Sequence, residues 1–373
     1  MHELSIWERE TFFPPFDALI MGAGIVGLAA ALKLKALRPR WRIAVCERGP
    51  LPQGASTRNA GFACYGSVSE LLEDLTHNTE GQVFGLVQQR VEGLAQLREL
   101  LGDSALRYET TGGTEVFTDK VRFRECAEAI PWLNSQLNKL TGMAPTYRIV
   151  NHDHGMKGVC GQIFSPGEGL LHPGYMMASL QRKAREAGVS LHFGLAVDGW
   201  KPGKEGYDIQ TREGIALQSA RILLATNGLS RRLLPELPVQ GVRNQVLVTE
   251  PISGLRLRGA FHYQEGYFYF RHIGNRVLVG GGRHLDTDGE TTDKFGSHDS
   301  IRDSLRTLLR DIILPGQSPR IDYAWSGILG IGTTKQPILA EPFPGLFTAV
   351  RLGGMGVAIG VHTGTQAARL MTC

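Results

Sequence analysis

Three glycines, Gly22, Gly24 and Gly27, stand at a spacing that suits the binding of a pyrophosphate. The run Gly22-Ala23-Gly24-Ile25-Val26-Gly27 follows a short apolar stretch, residues 18–21. It leads into an alanine- and leucine-rich stretch, residues 28–37. Strand, glycine turn and helix in that order give the motif its mechanism. Gly22 makes the tight turn, Gly24 lets the backbone approach the anion, and Gly27 lets helix and strand pack closely. The helix N-terminus adds free N–H groups and the positive end of its dipole. Residues 42–46 read as the next strand and end at Glu47, twenty residues after Gly27, where a carboxylate accepts from a ribose hydroxyl. The chemistry these residues point to is the holding of a dinucleotide.

The elements that must position them follow from the rest of the chain. At 373 residues two domains are expected. An apolar share of 42% and a charged share of 20% are those of an ordinary globular protein. The net charge of +4 is not gathered into any Lys/Arg block, so it reads as solvated surface and no nucleic-acid partner is expected. No apolar run is long enough to span a membrane, and the first 16 residues carry no apolar signal core. The five cysteines lack any C-x-x-C pair or metal-ligand spacing, which points to reduced thiols, a cytoplasmic location and no metal.

Periodicity predicts helix over 67–101 and 125–139, strands within 108–119, a helix over 174–188 and a strand over 189–199. Further on it predicts strands over 220–225 and 243–250, a hairpin over 267–282 and a helix over 300–313. The chain closes on a second strand–glycine–helix unit: residues 347–350, a turn containing Gly353, Gly354, Met355, Gly356 and Val357, and residues 359–371. A dinucleotide fold that ended early would not need that unit. The first and last segments are therefore expected to build one cofactor domain, with a β-rich domain between them.

In its ordered set of motifs the chain resembles the FAD-dependent amine and amino-acid oxidoreductases, the superfamily of D-amino-acid oxidase, glycine oxidase and sarcosine oxidase. The set comprises the glycine motif, Glu47, the segment Ser56-Thr57-Arg58-Asn59-Ala60-Gly61, the turn Thr226-Asn227-Gly228 and the terminal Gly353 to Gly356. The resemblance implies an α/β chain, α+β overall, with a split Rossmann-like FAD-binding domain and a substrate domain on a mostly antiparallel sheet. It places the FAD domain in 1–85, 150–235 and 320–373, and the substrate domain in 86–149 and 236–319. It implies that residues 22–27 hold the pyrophosphate and that Glu47, with Arg48 beside it, holds the adenosine ribose. Ser56, Thr57, Asn59, Ala60 and Gly61 would line the path to the flavin, and Val197 would touch the adenine. Thr226, Asn227 and Gly228 would sit near the ribose and phosphates. Gly353, Gly354, Met355, Gly356 and Val357 would bring backbone N–H groups to the flavin edge.

The chain departs from the family at the substrate end. Members that act on amino acids carry an arginine after a Trp-x-Gly. Here the segment from Trp325 to Gly332 has none, and Lys335 stands where an acid is common. The strand at 277–280 lacks the lysine that some members use to activate oxygen. A different clamp can be read from the alternation Tyr267, Tyr269, Arg271, which a strand puts on one face, with Phe268 and Phe270 packing on the other. A phenol beside a guanidinium suits a carboxylate, so Tyr269 and Arg271 are the expected substrate-binding pair. His172, before a proline, reads as structural, and Cys64 as a small buried thiol.

The resulting expectation is an FAD enzyme that oxidises the C–N bond of a small amine or amino acid by hydride transfer to flavin N5. A flavin-dependent 2-hydroxy acid dehydrogenase, a non-catalytic flavin-binding subunit and an NAD dehydrogenase stand as alternatives. The electron acceptor, the substrate and the oligomeric state are left open.

Overall fold

The computed structural model describes residues 4–373, so residues 1–3 of the expected cofactor segment lie outside the described residues. The apolar run of the glycine motif forms the strand Ala18–Met21, buried along its whole length. A strand buried on both faces belongs in a parallel sheet covered by helices. Ala18–Met21 is central in a six-stranded sheet, between Ile43–Glu47 on one side and Ile222–Leu224 on the other. Ser190–Phe193 lies beyond Ile43–Glu47. Leu346–Val350 lies beyond Ile222–Leu224, and the antiparallel Ile338–Phe343 closes that edge. The C-terminal strand thus completes the sheet that the N-terminal strand begins.

One face of this sheet is packed by helices Ile25–Leu37, Pro173–Glu186 and Gly356–Leu370, through Leu28, Leu34, Met176, Leu180, Ile359 and Ala367. The other face is covered by a three-stranded antiparallel meander, Val197–Gly203, Gly206–Thr211 and Ala216–Ser219, through Tyr207, Ile209 and Leu217. Small residues set the helix spacing. A Cβ on Gly93 of helix Glu80–Leu101 would lie 2.1 Å from the Ala358 carbonyl oxygen, and one on Gly364 would lie 2.5 Å from that of Val26.

The second sheet has eight strands in the order 321–331, 240–249, 276–281, 268–273, 260–263, 113–117, 161–165 and 148–150. All its pairings are antiparallel except that of Ala260–Tyr263 with Gly113–Phe117. Phe261, Phe268, Phe270, Val277 and Val279 pack on one face with Ile301 and Leu305 of helix Asp299–Leu308. Val246, Val248, Leu278 and the partly buried Tyr269 and Trp325 occupy the opposite face. The protein is therefore a mixed α/β molecule with a Rossmann-like sheet and a second, mostly antiparallel sheet.

Strands Gly161–Ser165 and Ile321–Ile331, within 150–235 and 320–373, pair into the second sheet. Helix Glu80–Leu101 packs on the C-terminal helix, although most of it falls within 86–149. The predicted helix over 67–101 breaks at Asn78 and Thr79. Thr79 caps the second half, and Gln82 returns the bond in a capping box. The single strand predicted over 189–199 becomes two, Ser190–Phe193 and Val197–Gly203, which belong to different sheets. Gly194 turns between them at φ 71°.

Candidate active site

The glycine motif lies where the central strand ends. Gly22 has φ 105°, and a Cβ there would lie 2.9 Å from the Ala225 carbonyl oxygen. A Cβ on Gly27 would lie 2.0 Å from the Gly22 carbonyl oxygen, so this glycine lets the helix meet the turn. Gly24 differs, because a Cβ there would meet only the Ser56 side chain, with Oγ at 2.9 Å, and space otherwise. Gly24 caps helix Ile25–Leu37 without a side-chain acceptor, which leaves first-turn N–H groups available to an anion. The Ile25 N–H donates to Ser56 Oγ at 3.0 Å.

A cavity opens in front of this turn. Gly22, Gly24, Ile25, Val26, Glu47, Arg48, Ser56, Asn59, Val197, Thr226, Asn227, Gly354, Gly356 and Val357 line it. Glu47 is nearly buried at its floor, with its carboxylate accepting from the N–H groups of Ala23 at 3.1 Å and Gly49 at 3.2 Å. Burial raises the Glu47 carboxyl, and those N–H groups and Arg48 only partly offset it. Asn227, at φ 47°, turns its Oδ1 to the N–H groups of Arg351 and Leu352, tying this turn to the C-terminal glycine turn. There Gly353 and Gly354 hold φ 58° and 86°, and helix Gly356–Leu370 starts without a side-chain cap.

A second cavity continues from the first. Ala55, Asn59, Leu329, Gly354 and Val357 line both. Its walls include Ala60, Phe62, Cys64, Val246, Gly353, Met355 and Tyr269. Tyr269 accepts a hydrogen bond from Asn244 Nδ2 at 3.3 Å, which leaves its own proton to donate. Burial pushes its phenol up, so it stays protonated. The ring lies over Gly280, its cross-strand neighbour, where a Cβ would lie 2.6 Å from Cε2.

Not every predicted residue reaches these cavities. Ala23 acts through its bond to Glu47, and Gly27 packs against the turn. The Thr57 hydroxyl donates to the Pro52 carbonyl. Gly61 and Gly228 sit against backbone, where a Cβ would lie 2.2 Å from the Leu171 and Leu329 carbonyl oxygens respectively. The main correction concerns Arg271. It shares a face with Tyr269 but is only 5% exposed and is absent from the cavity wall. Its Nη1 donates to the carbonyls of Ala60, Gly61 and Leu171 at 3.1, 3.2 and 2.9 Å, and its Nε to that of His272 at 3.0 Å. Burial, only partly countered by Glu109, lowers this guanidinium to about 10. The short pairing of Phe62–Ala63 with Gly169–Leu170 lies over it, so Arg271 ties that cover to the sheet and is turned away from the cavity. His172 caps helix Pro173–Glu186, its Nδ1 accepting from the Tyr175 N–H at 3.3 Å.

The second cavity also holds residues that the sequence did not place together. His262 lies opposite Tyr269 in register, and its Nε2 is 3.4 Å from Glu168 Oε2. Burial pulls the imidazole down, but Glu168, Glu70 and Glu115 outweigh it and leave it raised. Cys64, Glu168 and His262 bring one ligand-type atom each within 4.8 Å of one another. Glu168 accepts from the N–H groups of Tyr65 and Gly66 and faces His262, beside a thiol that burial pushes well up. At the outer end Lys335 bridges Glu70 at 3.0 Å and Asp74 at 2.7 Å. Arg283 stands on the wall nearby.

Such a fold and site define a dinucleotide-binding protein, with a nucleotide cradle opening into a second chamber. The chain belongs to the family of FAD-dependent oxidoreductases whose model, described as DAO, matches residues 17–370. It is 26% identical to a probable oxidoreductase OrdL of Rhizobium meliloti over 95% of this chain and 82% of that protein. Its identity to the glycine oxidase of Geobacillus kaustophilus is 25%, over 95% of this chain and 93% of that one. The crystal structure of a glycine oxidase from Geobacillus kaustophilus superposes with a TM-score of 0.76 at 20% identity, covering 96% of this chain and 95% of that one. An L-proline dehydrogenase structure from P. horikoshii gives 0.76 at 14%, covering 96% and 93%. FAD is the cofactor of this family, and the cradle suits it. An uncapped helix N-terminus, open space before Gly24 and a buried carboxylate are the groups a dinucleotide needs. Among the described residues no helix is long and apolar enough to cross a membrane.

Proposed function

We propose that the protein oxidises the C–N bond of a small amine or amino acid, with FAD held by Gly22 to Gly27, Glu47, Ser56 and the turn Gly353 to Val357. The observation that carries this reading is the wall common to both cavities, which joins the cradle to the chamber. When bound, FAD would supply the two-electron acceptor for a hydride at its N5 position. The protein's own tasks are orientation and exclusion of water. Tyr269 offers a protonated hydroxyl to a substrate oxygen, oriented by Asn244. Phe62, Val246 and Met355 supply an apolar wall. Nothing on the wall needs to act as a base if the substrate binds as the neutral amine. Five free cysteines suit a reducing, cytoplasmic compartment.

The test is an anaerobic titration of flavin-loaded protein with a panel of amines, amino acids and 2-hydroxy acids, followed by bleaching of the visible flavin band. Bleaching by amines is expected. The second reading, C–O oxidation, is favoured by 22% identity to the L-2-hydroxyglutarate dehydrogenase of Escherichia coli over 60% of this chain and 50% of that protein. Bleaching by hydroxy acids alone would select it. A flavin that no compound reduces would leave a binding subunit.

A further inference from the structure

We infer that Arg283 reads a negatively charged group on the substrate, at the end remote from the cofactor cradle. This inference rests on the functional reading above and adds the substrate's charge to it. The basic side chains on the chamber wall are Arg58, His77, His262, Arg283 and Lys335. Four of them are engaged. Arg58 donates to the Ser326 carbonyl at 3.0 Å and covers the Phe295 ring at 4.4 Å. Lys335 is bound by Glu70 and Asp74. His262 faces Glu168, and His77 lies 3.7 Å from Glu73. Arg283 alone on this wall has neither a hydrogen bond nor an ion pair among the described residues.

The acids of the wall do not neutralise it. Glu70 and Asp74 hold Lys335, Glu265 holds Arg122 at 3.0 Å, and Glu73 faces His77. An unpaired guanidinium on a partly enclosed wall is a fork of donors waiting for an acceptor. Its place in the fold sets which end of a ligand it meets. Gly280 pairs with Tyr269, and Arg283 follows three residues later, beyond the strand end at Gly281. It borders the chamber but not the cradle. The ring of its neighbour His284 lies 4.4 Å from that of the exposed Tyr267, tilted by 37°. Arg271, the other arginine on that face of the sheet, has its donors on backbone carbonyls and on Glu109. The ligand class that fits is an amine bearing a carboxylate on a chain, separated from the carbon to be oxidised.

The experiment compares kcat/KM for 5-aminopentanoate and n-pentylamine, equal in carbon chain and different in charge, in flavin-loaded wild type, Arg283→Met and Arg283→Lys. Calorimetry with glutarate, which carries no C–N bond, is run on the same three proteins. Wild type is expected to prefer the carboxylate by roughly 10- to 100-fold, the loss typical of one charge-assisted contact. Arg283→Met should collapse that ratio through KM and weaken glutarate binding to a similar degree, and Arg283→Lys should restore part of both. An unchanged ratio in Arg283→Met, with glutarate binding unchanged, overturns the inference and leaves amine oxidation standing. If neither amine is turned over, the functional reading fails. Glutarate then decides alone: binding that depends on Arg283 supports the anion site, and absent or independent binding overturns it.

Discussion

Gly24 and Gly27 stand three residues apart on one turn and resist substitution for different reasons. A side chain at Gly27 would run into the Gly22 backbone, whereas one at Gly24 would meet only the Ser56 side chain and the space of the cradle. Gly24→Val should therefore leave a folded protein that no longer retains FAD, and Gly27→Ala should lower the melting temperature. Flavin content and thermal unfolding, measured on both variants, check this contrast, and a yellow, fully loaded Gly24→Val protein would contradict it. Arg271 offers a test of a different kind. Arg271→Met leaves several buried carbonyls without their donor and should cost about 1–3 kcal/mol in denaturant unfolding. The glycines were legible in the sequence because each acts within its own turn. Alternation placed Tyr269 and Arg271 on the right face, since Phe268 and Phe270 do pack on the other. It could not tell that residues 60–61 and 171, far away in sequence, would cover that face at Arg271 and leave it open at Tyr269. Asn244, His262 and Arg283 carry no spacing at all, and only the fold brings them to one chamber.

At the scale of elements, the dinucleotide site depends on pieces from both ends of the chain. Leu346–Val350 pairs with Ile222–Leu224, and helix Gly356–Leu370 packs on Ile25–Leu37 so closely that a Cβ on Gly360 would lie 2.8 Å from Ile25 Cγ2. Truncation after residue 335 would expose Ile20 and Leu223 on the helix-packed face of the central sheet and Ala29 on helix Ile25–Leu37. The truncated chain should lose both flavin and cooperative unfolding, because the uncovered face no longer offsets the entropy of ordering the sheet. Calorimetric unfolding and the visible spectrum of a 1–335 fragment are the measurements, and a folded yellow fragment would contradict the shared-sheet account. The closing strand–glycine–helix unit was readable because its pattern repeats that of the N-terminus. The boundary near 320 was not, because Ile321–Ile331 is an edge strand whose partner, Gln240–Thr249, lies about eighty residues earlier in the chain.

Across the whole molecule, one charged cluster links the two sheets' territories. Glu70 and Asp74 lie on helix Val68–His77, Arg90 lies on helix Glu80–Leu101, and Lys335 lies on the connection from the second sheet to the edge of the first. Lys335 bonds both carboxylates, but they respond differently. Burial would raise Glu70, yet Lys335 and Arg90 outweigh it and hold its carboxyl down, from the ordinary 4.5 to about 2. Asp74 is raised, chiefly by burial, and Lys335 offsets this only in part. Burial opposes the charge on Lys335, but the two acids more than compensate and hold its ammonium above the ordinary lysine range. Glu70 is thus the anion that anchors the cluster. A carboxylate held below its unfolded value contributes stability that is present above the unfolded value and is lost as pH falls through the folded one. For Glu70 that window runs from 4.5 down to about 2. Wild-type melting temperature should fall through this range more steeply than that of Glu70→Gln, which has no carboxylate to protonate there. Glu70→Gln should also be the less stable protein at neutral pH, since Lys335 and the buried Arg90 then share only Asp74. Thermal unfolding of both proteins from pH 7 to 2 decides the matter: parallel curves would mean that the cluster adds nothing to the joint between the sheets, and curves that converge toward acid are the expected result.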